Sequence, residues 1–239
     1  MKLIEKKDNQ IMFIAEINES LANAIRRYLN QIPLIAIDEV EILKNDSSLY
    51  DETVAHRMGL IPLKIDKVDE KKVFKLKLNA KKEGVVTSGE LSGPIKPVYD
   101  QIPITLLKKG GELEIVAITK VGKGSEHSKF SPGLMFYRNI VDIKVDKNCP
   151  QDVVEVCPQK ILKLENGKIV VKDSYKCDGC EMCVEVCKKK KKDSIKITPT
   201  KDLMISLESF GQLDVKEIFK KSVDVLKKDL AVFSKKINK

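Results

Sequence analysis

Cys177-Asp-Gly-Cys180-Glu-Met-Cys183-Val-Glu-Val-Cys187 places four thiols at intervals of two, two and three residues. Three cysteines this close can occupy three corners of an iron–sulfur cube from one tight loop. Gly179 relieves the backbone where it bends toward such a cluster. In modules that hold two clusters, the last cysteine of each run ligates the other cluster. By that rule Cys187 points at a partner site, and the fourth thiolate comes from elsewhere. Cys157-Pro158 stands in the same register, thirty residues before Cys187. The expected ligand set is Cys157, Cys177, Cys180 and Cys183. Four ligands favour a [4Fe-4S] cube, with a [3Fe-4S] form as the alternative.

The partner site would need cysteines at positions 147, 150 and 153. Lys147, Pro150 and Val153 stand there instead, so one cluster is kept and the other lost. Cys149 sits in the decayed half, near where Cys187 is expected to project. That pair could form a disulfide, remain as free thiols or bind another group. A structural zinc site also uses four cysteines, but it usually pairs two Cys-x2-Cys knuckles instead of crowding three thiols into one loop. A disulfide scaffold fits less well still. All six cysteines lie between 149 and 187 of a 239-residue chain without a recognisable secretory leader.

A chain this long can bury two or three small cores. Apolar residues make up 42% and charged residues 33%, the composition of a globular protein, with a net charge of +9. Part of the excess is Lys188 to Lys192, directly after the cysteine run. Such a run reads as a solvated face before it reads as a contact for phosphate or an acidic partner. No aromatic residue interleaves it, as a single-strand platform would require. The most apolar stretch, Ile32 to Ile37, is far too short to span a bilayer. MKLIEKKDNQ lacks the apolar centre of a signal peptide. A cytoplasmic protein without membrane contact is expected.

Leu3-Ile4 and Ile11 to Ile17 flank the polar Lys6-Lys-Asp-Asn9 and predict a hairpin over 2–18. Ser20 is placed to cap a helix whose Leu21, Ala24, Ile25, Tyr28 and Leu29 recur at helical spacing and stop before Pro33. Leu34 to Leu43 reads as a strand and Asp51 to Leu60 as a short helix closed by Pro62. Phe74, Leu76 and Leu78 alternate with Lys75 and Lys77, the pattern of a half-buried strand. Leu113 to Ile118, Phe136 to Val145 and Asp202 to Ser209 are further strands. From Asp214, the residues Val215, Ile218, Phe219, Ser222, Leu226, Leu230 and Phe233 trace one face of a long amphipathic helix. A stripe that long at a chain terminus is often shared with a partner.

Catalytic vocabulary is thin. His56 and His127 are the two histidines, and both read as structural or surface residues. Gly122-Lys-Gly124 lacks the spacing of a phosphate loop, and no Gly-x-Gly-x-x-Gly occurs. The acidic residues form no set suited to two-metal chemistry. No active site is expected.

Several blocks now point one way. Ser20-Leu-Ala-Asn-Ala-Ile-Arg-Arg-Tyr28 with Ile32-Pro-Leu-Ile-Ala-Ile-Asp-Glu-Val-Glu-Ile42 resembles the opening of the archaeal alpha-like subunits of DNA-directed RNA polymerase. That family is the counterpart of the bacterial alpha subunit and of the third-largest subunit of eukaryotic polymerase II. Asp51-Glu-Thr-Val-Ala-His-Arg-Met-Gly-Leu-Ile-Pro-Leu63 resembles its hallmark segment. Gly111-Glu-Leu-Glu114 through Glu126-His-Ser-Lys-Phe-Ser-Pro132 is similar to a third block, and Glu208-Ser-Phe-Gly-Gln-Leu213 to the C-terminal signature. The resemblance spans almost the whole chain, in the family's order.

The resemblance implies an α+β fold. A discontinuous dimerisation domain (1–44, 132–146 and 198–239) would be interrupted by a mainly β insertion domain (45–131) and a ferredoxin-like iron–sulfur domain (147–197). It implies a non-catalytic assembly platform that forms a heterodimer with the small subunit L. That pair would then recruit the large catalytic subunits and the small subunits N and P, touching DNA only through the complex. Val215, Ile218, Phe219, Leu226, Leu230 and Phe233 would then meet subunit L, and Arg26 and Arg27 would face the large subunits. The cluster would be structural, holding a domain with little core of its own. A redox-sensing role is the weaker hypothesis. Two other classes stand beside this reading: an electron-transfer ferredoxin fusion, which would need a flavin or nicotinamide site, and a zinc-stabilised nucleic-acid-binding protein.

Overall fold

The apolar patterns settle into thirteen strands and five α-helices among the described residues, which are 1–64, 72–192 and 194–237 of a computed structural model. Residues 65–71, inside the expected insertion domain, and 238–239, at the end of the expected dimerisation domain, lie outside them. The chain divides into two compact units. One comprises 1–5, 12–22 and 136–206; the other comprises 6–11, 23–135 and 207–239.

The expected hairpin forms as β1 (Lys2–Lys7) and β2 (Gln10–Ala15). Helix α1 (Glu19–Leu29) follows, but its cap is not Ser20. The Asn18 carboxamide oxygen accepts the Leu21 amide at 2.8 Å, satisfying a donor that the first turn leaves unpaired. Ser20 already lies inside that turn. Strand β3 (Pro33–Asn45) leads to α2 (Asp51–Gly59). Two short strands come next, β4 (Leu63–Lys64) and, beyond the undescribed segment, β5 (Lys75–Ala80). Strands β6 (Gly84–Thr87), β7 (Lys96–Pro97), β8 (Pro103–Leu107) and β9 (Leu113–Lys123) complete the middle of the chain.

In the second unit these strands form a three-stranded antiparallel sheet, β3-β9-β5, and the two-stranded pairs β4-β7 and β6-β8. Leu76, Leu78 and Ala80 point into its core while Lys75 and Lys77 face out, as the alternation requires. Ile35, Ile37, Met58, Leu63, Ile104 and Ile115 fill the same core. Strand β3 bulges between Ile37 and Glu39. The extra residue, Asp38, pairs with Lys129 at 2.6 Å, and that ammonium holds its carboxyl below the usual range.

Strand β10 (Gly133–Val145) opens the cysteine-bearing part of the first unit. After it come α3 (Val153–Val156), β11 (Leu162–Glu165), β12 (Lys168–Val171) and α4 (Met182–Lys189). The hairpin β11-β12 turns on Asn166 and Gly167, both at positive φ, the conformation of a type I′ turn. Strand β13 (Ile195–Ser209) begins seven residues before Asp202, where sequence alone placed its start. The first unit carries most of a four-stranded sheet ordered β1-β2-β13-β10. The last element, α5 (Val215–Ile237), is held in the second unit by Gln212, whose side-chain amide donates to the Ile35 carbonyl at 3.3 Å.

Candidate iron–sulfur site and docking surface

The cysteine loop is shaped by its own sequence. Asp173 accepts the Tyr175 amide and caps a single 3-10 turn, Ser174–Lys176, that delivers the backbone to Cys177. Asp178 then accepts the Cys180 amide at 3.2 Å. Gly179 and Glu181 both take left-handed conformations, with φ of 72° and 57°. Glycine does so without strain; glutamate does not. Beyond Glu181 the chain enters α4, which carries Cys183 in its first turn and Cys187 one turn later.

Cys157, Cys177, Cys180 and Cys183 line one small pocket with the apolar Ile143, Ile161, Leu162 and Met182 and the polar Gln159 and Asp178. The remote Cys157 therefore reaches the loop, as the expected ligand set requires. Burial pushes the Cys183 thiol up to about 11, and the neighbouring Cys157, Cys177 and Cys180 add to the shift. Among the described residues, no group of three or more His, Cys, Asp or Glu side chains is gathered in the way that holds a single metal ion. A lone zinc draws four sulfurs to about 2.3 Å from one point. A cube takes its ligands at separate corners, so its four thiols need not converge on a single point.

Cys149 and Cys187 do not line that pocket. They meet each other, with sulfurs 3.9 Å apart, and both are free thiols. A disulfide needs about 2.05 Å. Burial, reinforced by Cys187, raises the Cys149 thiol to about 11. The Ser194 hydroxyl lies 3.5 Å from the Cys187 sulfur.

Sequence reasoning missed Arg138 on β10. Its guanidinium donates to the backbone carbonyls of Cys177 and Tyr175 and lies 3.3 Å from the Met204 sulfur. Carbonyl acceptors are part of every residue, so no motif advertises the contact. The lysine run is partly tied down: Lys190 pairs with Asp152, and Lys192 reaches the Asn148 carbonyl. Lys188 and Lys189 stand in the last turn of α4, where positive charge suits the helix dipole.

The stripe on α5 is split. Val215, Ile218 and Leu226 are buried and Phe219 is half-buried, all within the chain itself. Leu230 and Phe233 stay 56% and 62% exposed, joined by Val232 and Ile237. Asp229, on this part of the helix, hydrogen-bonds the Tyr28 hydroxyl and raises its pKa. Arg26 and Arg27 are exposed, with Arg26 donating to the Asn23 side chain. His127 is structural: its Nδ1 accepts the Lys129 amide at the start of the turn Ser128–Phe130. His56 is exposed in the last turn of α2. Among the described residues, no helix is long and apolar enough to cross a membrane.

Residues 15–135 match the family described as the RNA polymerase Rpb3/RpoA insert domain, a wider span than the 45–131 expected for the insertion. The chain is 31% identical to DNA-directed RNA polymerase subunit Rpo3 of Methanosphaera stadtmanae, covering 95% of this chain and 94% of the relative. It is also 31% identical to subunit Rpo3 of Archaeoglobus fulgidus, over 95% and 93% of the two chains. With the rpac1 subunit of DNA-directed RNA polymerases I and III from Dictyostelium discoideum it shares 29%, over 100% and 82%. Similarity at this level over nearly full length, with the insert-domain match, makes the chain a member of the Rpo3 family, the alpha-like subunits of DNA-directed RNA polymerase.

Proposed function

We propose that this chain is the assembly platform of its polymerase and binds a small subunit of the L type through the open half of α5. The observation that carries this reading is the exposed set Leu230, Phe233 and Ile237, which share one face of α5. Among the described residues these three large apolar side chains stay more than half exposed, and exposed apolar patches of this kind mark protein contacts. A facing helix would bury them in an interface of the obligate, hydrophobic type. Val215, Ile218 and Leu226 then hold the helix in place, and the open end does the docking. Arg26 and Arg27 are proposed to meet the large catalytic subunits, with the small subunits N and P joining afterward. The chain has no part in nucleotidyl transfer and reaches DNA only through the complex, in the cytoplasm.

Cys157, Cys177, Cys180 and Cys183 are proposed to hold one iron–sulfur cluster, [4Fe-4S] before [3Fe-4S]. Bound there, the cluster would crosslink chain segments twenty residues or more apart and stand in for core that the domain lacks. The sulfurs supply that core already in part, because Cys177, Cys183 and Cys187 are buried among Val141, Val153, Ile161 and Ile195. The proposed domains are 1–44 with 132–146 and 198–239 for dimerisation, 45–131 for the insertion and 147–197 for the ferredoxin-like part.

Co-expression with the L-type subunit, followed by anaerobic purification, tests both halves. A one-to-one complex carrying about four irons and four sulfides per chain is the expected result. Zinc in place of iron would overturn the cluster. A chain that purifies alone would overturn the platform.

A further inference from the structure

Arg138 is a permanent, planar cation whose fork can grip two acceptors at once. Here both acceptors are peptide carbonyls, of Tyr175 and of the first loop cysteine, Cys177. Among the described residues, no carboxylate pairs with it. The side chain is half-buried, and its third neighbour is the Met204 sulfur on β13. Tyr175 is held from a second direction, with the Lys2 ammonium 5.8 Å from its ring centre. The carbonyls take two of its five N–H donors but leave a unit charge uncompensated in a partly dry setting, which is costly. Four thiolates around an iron–sulfur core carry net negative charge and would compensate it.

We propose that Arg138 is a positioning residue for the iron–sulfur site: it ties the start of the cysteine loop to strand β10 and supplies the counter-charge of the cluster. The second half of this proposal rests on the cluster reading above; the first does not. The geometry explains why the contact is made by arginine. A lysine could supply charge, but it is a single point and cannot span two carbonyls in one plane. The tether acts on the peptide of Cys177 itself, so it fixes the direction in which the first sulfur leaves the backbone. Arg138 does not itself line the thiol pocket, so its charge reaches the site through the Cys177 peptide it grips; a positive charge near a cluster favours the more reduced, more negative state and so raises the reduction potential. It also slows the loss of iron.

The test uses the full-length chain with Arg138→Gln and Arg138→Lys. In the reduced, iron-free protein, iodoacetamide labelling of Cys177 is followed by peptide mass mapping, with Cys149 as internal reference. Charge-assisted hydrogen bonds are the strong ones, and a tenfold change in an opening equilibrium needs only part of one. Arg138→Gln is therefore expected to raise Cys177 labelling at least about tenfold and leave Cys149 unchanged. In the iron-loaded protein, Arg138→Gln is expected to lower the reduction potential and release iron faster to a chelator. Arg138→Lys is expected to restore the potential but not the slow labelling. Parental rates and potential in Arg138→Gln would overturn the proposal. So would equal acceleration at Cys149, since that means general loosening and not a local tether. If the parent takes up no iron, the cluster reading and the counter-charge fall together, while Cys177 labelling still decides the tether.

Discussion

Replacing Leu230 and Phe233 by glutamine tests whether the open end of α5 is a docking surface. Burying a leucine or phenylalanine side chain completely is worth about 1.5–3 kcal/mol. Leu230 and Phe233 still have 56% and 62% of their surface to lose. Scaling the transfer energy by those fractions leaves about 0.8–1.7 kcal/mol for Leu230 and about 0.9–1.9 kcal/mol for Phe233. Together they predict a Kd for the L-type subunit weaker by about one to two and a half orders of magnitude, at about 1.4 kcal/mol per decade. The lone chain should lose less, because more than half of each side chain is already in water and glutamine is a good helix former. Ile218→Ala is the contrast: that residue is 0% exposed, so it should cost the fold about 2–5 kcal/mol. Titration calorimetry against the partner and urea unfolding of the lone chain read the two effects. An unchanged Kd in the double glutamine variant would refute the docking surface. A large loss of stability in the lone chain would show that those side chains already have a structural job.

Further outcomes follow from the capped, charged and thiol-bearing positions. Asn18→Ala should lower stability by about 1 kcal/mol in chemical denaturation, whereas Ser20→Ala should have little effect; equal effects would contradict the cap. Glu112 is pulled down to about 2 by Lys81 first and then Lys44, 2.9 Å away. A depressed carboxyl stabilises the fold above its unfolded pKa and loses that contribution as pH falls through about 2. Thermal melts from about pH 6 to 2 should therefore fall less steeply for Glu112→Gln than for the parent, and parallel curves would remove the ion pairs from the account. Cys157→Ser should abolish most iron retention and Cys149→Ser should not, as read by colorimetric iron assay on anaerobic protein. Because the Cys183 thiol sits near 11, iron loading must expel a proton and should run faster at about pH 8.5 than at about 6.5.

The sequence was most readable where periodicity or spacing carried the information. Leu76 and Leu78 against Lys75 and Lys77 declared a strand, and the stripe from Val215 to Phe233 declared a long helix, which runs on to Ile237. The cysteine intervals also carried the approach of Cys157 to the loop and of Cys149 to Cys187. Reading failed where local signals misled. Only Asp202 to Ser209 read as a strand, yet β13 begins at Ile195 and runs through Pro199, as strands can where no ladder donor is needed. The Asn166-Gly167 turn was a hairpin signal passed over beside the louder cysteines. Ser20 looked like a cap because it preceded the apolar period, but the helix starts one residue earlier and Asn18 reaches the donor. The split of the α5 stripe into covered and open halves was not legible at all, since it depends on which residues the rest of the chain covers. Arg138 was hidden for a related reason: its acceptors are main-chain atoms 37 and 39 positions away.

The bare end of α5 also has a meaning for the cell before any complex exists. A newly made copy that finds no companion carries Leu230, Val232, Phe233 and Ile237 in the open. Such a surface invites chaperones, aggregation and proteolytic clearance. Surplus copies would be removed and matched copies spared, so the residues proposed to join the subunits would also keep their numbers in balance.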